Sequence, residues 1–150
     1  MTLTKNAKLM SGITLLVVPT IMYGGWTLLG ILTHGVAAPM PGGLRLNDTQ
    51  WALWRAGHAH AGVWTLLSLL LQVFLDSTRL PSSLNWVARI SAPLAAVALS
   101  GGFFGLAYSD GFRALIYAGA IAMLLALLIT GIGLLRNVQG SLGKSPDLGS

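Results

Sequence analysis

The stretch "LMSGITLLVVPTIMYGGWTLLGIL", residues 9–32, decides the fold. It contains no charged residue, and a helix of about 20 apolar residues crosses the roughly 30 Å hydrocarbon core of a bilayer. Three further long apolar stretches follow it, at residues 51–75, 86–108 and 112–135. The sequence therefore predicts four transmembrane helices.

The composition supports a membrane protein. The chain is 54% hydrophobic and only 9% charged, whereas about 25% of the residues in a soluble domain are charged. The nine lysines and arginines are scattered singly, so no basic run follows a phosphate backbone and nucleic acid is not an expected partner. Cysteine is absent, which excludes disulfides and thiolate metal sites. The expected partner is the lipid bilayer.

The connections predict how the helices are arranged. All but the first are short, which is typical of an antiparallel, all-α four-helix bundle formed by residues 1–138. The first connection, "THGVAAPMPGGLRLNDTQ" at residues 33–50, is long enough to fold over the outer face of the bundle. The last stretch, "QGSLGKSPDLGS" at residues 139–150, is polar and predicted to be a flexible tail.

The distribution of positive charge predicts the orientation. Cytoplasmic loops of membrane proteins are enriched in lysine and arginine. The side of the two termini carries Lys5, Lys8, Arg79, Arg89, Arg136 and Lys144, and the opposite side carries Arg45, Arg55 and Arg113. We therefore expect a multi-pass protein of the inner (plasma) membrane with both termini in the cytoplasm.

A weak internal repeat relates the two halves of the chain. "MYGGWTLLG" in the first span is echoed by "LSGGFFGLA" in the third, and "RAGHAHAGVWTLLSLL" in the second by "RALIYAGAIAMLLALL" in the fourth. With both arginines aligned, Ile116 and Ala118 take the places of the two histidines, His58 and His60. Such a repeat predicts two helical hairpins in the same orientation, related by an axis along the membrane normal.

Small residues suggest where helices meet. Gly101 and Gly105 form a GxxxG pattern in the third span. In the fourth span, small residues recur every four positions, at Ala114, Ala118, Ala122, Ala126 and Thr130. Small side chains let helix backbones approach closely in lipid, so both patterns predict packing faces.

The string "RAGHAHAGVW", residues 55–64, places two of the three histidines of the chain at the edge of the second span. At 100° per residue, nearly every polar side chain of this helix falls on one stripe. The stripe contains Trp51, Trp54, Arg55, His58, Gly62, Thr65, Gln72 and Asp76, with Ser68 at its border. Because unpaired polar groups are costly in hydrocarbon, this stripe should face the bundle interior. His60, about 200° from His58, should face lipid, the covering loop or a neighbouring subunit.

This geometry limits the chemistry of the histidines. Two ligands from one helix face need a spacing of three or four residues, as in HExxH, so His58 and His60 cannot share a metal on a regular helix. A site would use His58 with a residue from elsewhere. His34, just after the first span and on the same side of the membrane, is the expected partner, and Met40 offers a soft ligand.

Three interpretations of the cluster stay open. Haem b could take His34 and His58 as axial ligands, with Arg45 or Arg55 holding a propionate. Copper could use His34, His58 or His60 together with Met40, since imidazole and thioether suit this metal. Alternatively, no ligand binds, and the histidines and Arg55 form hydrogen bonds with loop carbonyls and neighbouring helices.

Two resemblances follow from these residues. "RAGHAHAGV", with "PTIMYGG" before it and "GIGLLR" after it, resembles a family of small bacterial integral membrane proteins with four spans, over residues 10–136. That family has no established activity to carry over. "HAH" followed by apolar residues and a glycine is also similar to a helix of haem–copper oxidase catalytic subunits, which would imply haem ligation at His58 or His60. The chain lacks the other histidines of such an oxidase site.

The function expected from the sequence is therefore an integral membrane protein with a haem or metal site at His58 near the outer face. The alternative is an accessory or structural subunit of a homo-oligomer or larger membrane complex, with no ligand. Transport is less favoured, because no acidic or basic residue lies near the middle of a span. The residues do not specify a reaction.

Overall fold

The computed structural model describes residues 2–34 and 46–142, apart from the side chains of Ile31, His34 and residues 139–142. The described chain forms four helices and no strand: α1 (Lys5–His34), α2 (Asp48–Asp76), α3 (Ser82–Leu106) and α4 (Arg113–Leu142), with a 3₁₀ turn at Asp110–Phe112 before α4. All four helices are long and apolar enough to cross a membrane. The predicted all-α architecture with four spans is confirmed.

The helix boundaries follow local chemistry. α2 begins at Asp48 because Asn47 and Gln50 form a capping box: the Asn47 Oδ1 accepts from the Gln50 amide at 2.9 Å, and the Gln50 Oε1 accepts from the Asn47 amide at 3.0 Å. α3 ends at Leu106, two residues before the predicted limit, because the chain turns there into the 3₁₀ segment. α4 continues through residues 139–142, which the sequence assigned to the flexible tail.

The helices form an antiparallel bundle with two inner and two outer members. α2 and α3 pack against each other at the centre, while α1 packs mainly on α2 and α4 mainly on α3. Within the described residues, α1 and α4 do not touch. The outward faces carry large apolar side chains such as Leu16, Trp26 and Leu135, as a lipid environment requires.

The densest part of the core joins α2, α3 and α4. Leu71 of α2, Ala92 and Ala95 of α3, and Met123 and Ala126 of α4 are all buried there. The alanines of α3 let its neighbours approach closely, which matters because helix association in lipid depends on van der Waals packing. α3 is therefore fixed on both sides, whereas α1 is held on one.

Residues that are aligned in the internal repeat make equivalent helix–helix contacts in the two hairpins. In the α1–α2 hairpin, a Cβ built on Gly25 would lie 3.2 Å from the ring of His58; in the α3–α4 hairpin, a Cβ built on Gly102 would lie 2.6 Å from the Cγ1 of Ile116. Gly25 and Gly102 are aligned in the repeat, and so are His58 and Ile116. The two hairpins thus pack in the same way, and the helices are in closer contact at this point in the α3–α4 hairpin.

The buried faces of α2 and α4 correspond as well. Thr65, Ser68 and Gln72 of α2 align with Met123, Ala126 and Thr130 of α4, and all six side chains are buried. The polar stripe predicted to face the bundle interior does so at Thr65, Ser68 and Gln72. At the same positions α4 carries mostly apolar side chains, because it has only α3 as its main neighbour.

The small-residue patterns are only partly packing faces. Gly105 lies under the ring of Phe112, but a Cβ on Gly101 would meet nothing within 4 Å, and Gly102 makes the closest approach instead. Ala126 is buried, whereas Ala114 and Ala118 at the start of α4 are exposed. The reason is that a strict four-residue spacing turns about 40° around a helix at each step, so the row leaves the α3 interface.

Candidate ligand site

A groove of about 430 Å³ runs between α1, α2 and α3. Its lining extends along α1 from Met10 to Gly24 and along α3 from Ile90 to Phe104, which corresponds to about 21 Å of helix on each wall. α2 forms its floor, and α1 and α3 barely touch across it. The groove is therefore long, narrow and open sideways toward the surroundings of the bundle.

The walls of the groove are effectively apolar. The hydroxyls of Thr14, Thr20 and Ser100 each donate to a carbonyl of their own helix, at 2.8, 2.6 and 2.7 Å. Such back-bonding satisfies a hydroxyl inside a helix without a partner from outside. A ligand in the groove would therefore meet almost no competing polar group along most of its length.

Two further polar side chains of α2, Thr65 and His58, line the groove, and His58 is the larger of the two. Its ring lies across the glycine pair of α1: a Cβ on Gly24 would be 3.5 Å from Nδ1, and one on Gly25 would be 3.2 Å from Nε2. The side chain is half-buried and lines the groove. Neither ring nitrogen has a hydrogen-bond partner within the described residues. As predicted, His58 faces the protein. Its ring points toward α1 and the groove.

An aromatic ring closes the same end of the groove. Phe104 of α3 lines it and lies against Gly57 of α2, where a Cβ would come within 3.1 Å of the ring. The Phe104 ring in turn meets Trp54 edge to face, with ring centroids 5.1 Å apart. Absence of a side chain at Gly57 is what lets Phe104 reach α2 beside His58.

The prediction that His60 faces lipid, the loop or another subunit is wrong. Its Nδ1 bonds to the carbonyl of Ala56 at 2.7 Å, and its ring lies 4.6 Å from the ring of Phe103 in α3, at an angle of 33°. α2 is an inner helix with neighbours on two sides, so the face opposite His58 is covered by α3. His58 and His60 therefore contact different helices.

The remaining predicted site residues do not assemble around His58 in the described part of the chain. Arg55 is on the exposed face of α2 and is not among the residues that line the groove. The side chain of His34 and all of Met40 lie outside the described residues, as does Arg45. Across the described chain, no group of three or more histidine, aspartate or glutamate side chains is arranged to hold a metal ion.

A second polar cluster, which the sequence reasoning missed, lies at the other end of the bundle. Arg89 of α3 is only 2% exposed and forms an ion pair with Asp76 at the end of α2. The Arg89 Nε donates to Asn85 at 2.6 Å, and its Nη1 donates to the carbonyl and the side chain of Gln72, both at 3.1 Å. Gln72 in return donates to the Arg89 carbonyl at 3.0 Å.

The N-terminal segment completes this cluster. The amide and hydroxyl of Thr4 donate to the two carboxylate oxygens of Asp76, at 2.7 and 2.8 Å. The Thr4 hydroxyl oxygen also accepts from the Ala7 amide at 3.2 Å, which caps α1. The sequence signal was present: Asp76 and Gln72 share the polar stripe, and Arg89 is a lone charge in an apolar stretch. The charge distribution predicts only a topological role for Arg89, whereas the cluster gives it a structural one.

No protein-family model, curated protein or solved structure matches the chain. The interpretation of the groove therefore depends on the residues of this chain and on their geometry.

Proposed function

We propose that this multi-pass membrane protein binds a hydrophobic small molecule in the groove between α1, α2 and α3, with His58 as the polar contact. One observation carries the proposal: the His58 imidazole lines an apolar groove and has no hydrogen-bond partner within the described residues. His58 is only half-buried by protein, but a polar group that faces hydrocarbon without a partner is costly. A ligand that bonds to the ring would remove that cost.

The size and chemistry of the groove support the same function. Small-molecule sites are typically concave, mostly apolar and about 300–1,000 Å³ in volume, with a few polar groups that orient the ligand. The groove of about 430 Å³ falls within that range, and the hydroxyls of Thr14, Thr20 and Ser100 are satisfied within their own helices. His58 is then the group that orients the ligand.

Haem b is the ligand that the sequence interpretation names for this site. His58 and His34 would hold the haem iron, whereas Arg55, the expected propionate partner, is exposed and does not line the groove. When bound, the haem iron would supply redox or ligand-binding chemistry, while the chain would provide an apolar pocket and these two imidazoles. A copper site would use His34 and Met40 with either His58 or His60, since the two histidines of α2 contact different helices.

The ligand proposal can be tested on the protein purified from membranes in mild detergent, after growth with haem and copper supplied. We expect the organic extract of the wild-type protein to contain a compound that is missing from His58→Ala, and retained in His60→Ala as the matched control. If the compound is haem, a Soret band will follow the same pattern. Identical extracts from all three proteins, without a Soret band or bound metal, would overturn the proposal.

The orientation is part of the proposal: the inner (plasma) membrane, with both termini in the cytoplasm. Since the chain has no cysteine, single cysteines can be labelled specifically. In intact cells, an impermeant maleimide should label Thr49→Cys at the start of α2 and should leave Ser83→Cys, at the opposite end of the bundle, unlabelled until the cells are broken. The reverse pattern would invert the topology.

A second candidate function is an accessory or structural subunit of a homo-oligomer or larger membrane complex. The observation in its favour is that Ala114 and Ala118, the first two members of the small-residue row on α4, are exposed. Replacing Ala118 by leucine should then release a partner during purification in mild detergent, whereas Leu128→Ala, on an exposed position further along α4, should not. Recovery of this chain alone and as a monomer would count against this candidate.

A further inference from the structure

We propose that the ligand of the groove is a quinone with one long hydrocarbon tail, held with its ring between His58 and Phe104 and its tail along α1 and α3 toward Met10. This inference rests on the proposed function and specifies the class of ligand. It depends on three features of the groove: its shape, its two ends and its depth in the membrane.

The shape of the groove fits an extended chain. The groove of about 430 Å³ extends over about 21 Å of helix, so an extended hydrocarbon chain can lie along it. Along this length the hydroxyls of Thr14, Thr20 and Ser100 are bonded to their own helices, so the walls present an apolar surface. A tail without polar groups matches that surface.

The two ends of the groove differ. At the Met10 end, the lining of α1 and α3 is apolar, with Ile13, Ile90 and Leu94 beside Met10. At the other end, an unpartnered imidazole and the ring of Phe104 line the wall together. A flat ring with carbonyl groups can stack on Phe104 while a carbonyl oxygen accepts a hydrogen bond from the His58 ring. The polar head of the ligand therefore belongs at this end.

The depth of His58 excludes a charged head group. His58 lies four residues from the middle of α2 (Asp48–Asp76), which is about 6 Å along the helix axis. With the middle of α2 at the centre of the bilayer, the hydrocarbon core extends about 15 Å to either side, which would place the imidazole inside the core. Phosphate and other ionised groups are expensive at that depth, whereas a neutral carbonyl that gains a hydrogen bond is not.

The opening of the groove gives such a molecule a route. α1 and α3 barely contact each other, and the lining of the groove follows the length of both helices, so in a bilayer the gap between them would open to lipid. A quinone with a long tail is dissolved in the bilayer, so it could enter sideways between the two helices without leaving hydrocarbon. α1 packs mainly on α2, so it is the wall of the groove that can move to admit the ligand.

The test uses the full-length protein in lipid nanodiscs, with quenching of tryptophan fluorescence as the readout, since Trp54 contacts Phe104 at the head end. Three probes separate the parts of the ligand: a quinone with a long isoprenoid tail, the same quinone ring without a tail, and an alcohol with the same tail. We expect saturable quenching by the first probe, much weaker binding of the tail-less ring, and poor competition by the alcohol.

Two variants and their matched controls locate the site. His58→Ala should bind the tailed quinone about tenfold more weakly, since one hydrogen bond is lost, while His60→Ala should bind it like the wild type. Gly101 lines the groove and has open space beside it, so Gly101→Leu should fill the groove and abolish saturable quenching. Gly131→Leu, equally unobstructed but in α4, should leave binding unchanged.

Each outcome decides a part of the inference. Equal binding of the tail-less ring would overturn the role of the groove walls, and full competition by the alcohol would overturn the role of the ring. Quenching that persists in Gly101→Leu would show that the quinone binds elsewhere. If the purified protein retains a ligand in a His58-dependent manner and yet does not bind the tailed quinone, the inference is wrong and the proposed function stands. If neither occurs, both are wrong.

Discussion

The α1–α2 hairpin and the α3–α4 hairpin are two versions of one packing arrangement. In each, a glycine of the first helix receives a side chain of the second, but the pair is Gly25 and His58 in one hairpin and Gly102 and Ile116 in the other. The second pair is in closer contact, and its helices pack along a continuous buried face. The first pair leaves a groove beside an unpartnered imidazole.

This difference separates stability from function within a single fold. The α3–α4 hairpin has no histidine at the aligned positions, and its close contacts make it a rigid support for the centre of the bundle. The α1–α2 hairpin packs less tightly, and a groove lined by the His58 imidazole lies beside it. Function is therefore expected to depend on the looser half, and resistance to unfolding on the tighter half and on the junction between them.

The largest effect should come from that junction, where Arg89 of α3 binds Asp76 and Gln72 of α2. Arg89→Met keeps the length of the side chain but leaves the buried Asp76 without its charged partner, so we expect the free energy of unfolding to fall by about 3–5 kcal/mol. Arg55→Met removes an exposed arginine of α2 and should cost no more than about 0.5 kcal/mol. Unfolding in mixed micelles of increasing SDS content, followed by circular dichroism, measures both, and equal losses would show that the cluster is not structural.

Matched glycine substitutions test the tightness of the two hairpins. Gly102→Ala would place a Cβ 2.6 Å from Ile116 and 3.0 Å from its backbone nitrogen, and we expect a loss of about 2–3 kcal/mol from overpacking. Gly25→Ala meets only the His58 ring at 3.2 Å and should cost less than about 1 kcal/mol. Gly101→Ala, with open space, serves as the control and should be neutral or slightly stabilising. Similar losses at positions 25 and 102 would remove the distinction between the hairpins.

Exchanging the aligned residues sharpens the comparison. Ile116→His would introduce a polar ring into the tight hairpin without a partner and should lower the free energy of unfolding by about 1–3 kcal/mol. His58→Ile should leave stability unchanged or raise it by up to about 1 kcal/mol, because an unpaired polar group is removed, and should abolish ligand retention. The same SDS titration and the extract comparison measure these effects. A large loss of stability in His58→Ile would mean that the imidazole supports the fold rather than a ligand.

The smallest effect concerns the start of the second helix in each hairpin. Asn47 caps α2 in a reciprocal capping box, so Asn47→Ala should cost about 1 kcal/mol. The segment before α4 begins with Ser109, whose oxygen accepts from Gly111 at 3.4 Å, a long bond. Ser109→Ala should therefore cost less than about 0.5 kcal/mol. If the two losses are equal in the SDS titration, the caps do not distinguish the hairpins.

Features that depend on one helix at a time could be predicted from the sequence. The apolar stretches identify all four spans, because span length is set by bilayer thickness. The polar stripe of α2 correctly places Thr65, Ser68 and Gln72 toward the interior, because polar groups avoid lipid wherever the helix is placed. The protein-facing direction of His58 follows from the same argument.

Features that depend on two helices together could not be predicted. A single helical wheel treats the face opposite the polar stripe as lipid-facing, but α2 has neighbours on both sides, and His60 meets Phe103 of α3. Predicting the Arg89 cluster would require the register of α3 against α2, because its hydrogen bonds and ion pair join the two helices. The spacing of residues along one helix does not give that register. The groove beside Gly24 depends on a gap between α1 and α3, and a gap has no residue pattern of its own.

The contact between Thr4 and Asp76 has a consequence for how the protein is made. Thr4 emerges from the ribosome first, but Asp76 follows only after two helices, and Arg89 later still. The first two helices must therefore enter the membrane while the acidic end of the second is unpaired. Insertion of the third helix then delivers the arginine that neutralises it. A chain halted between Asp76 and Arg89 would expose a carboxylate with no countercharge from α3.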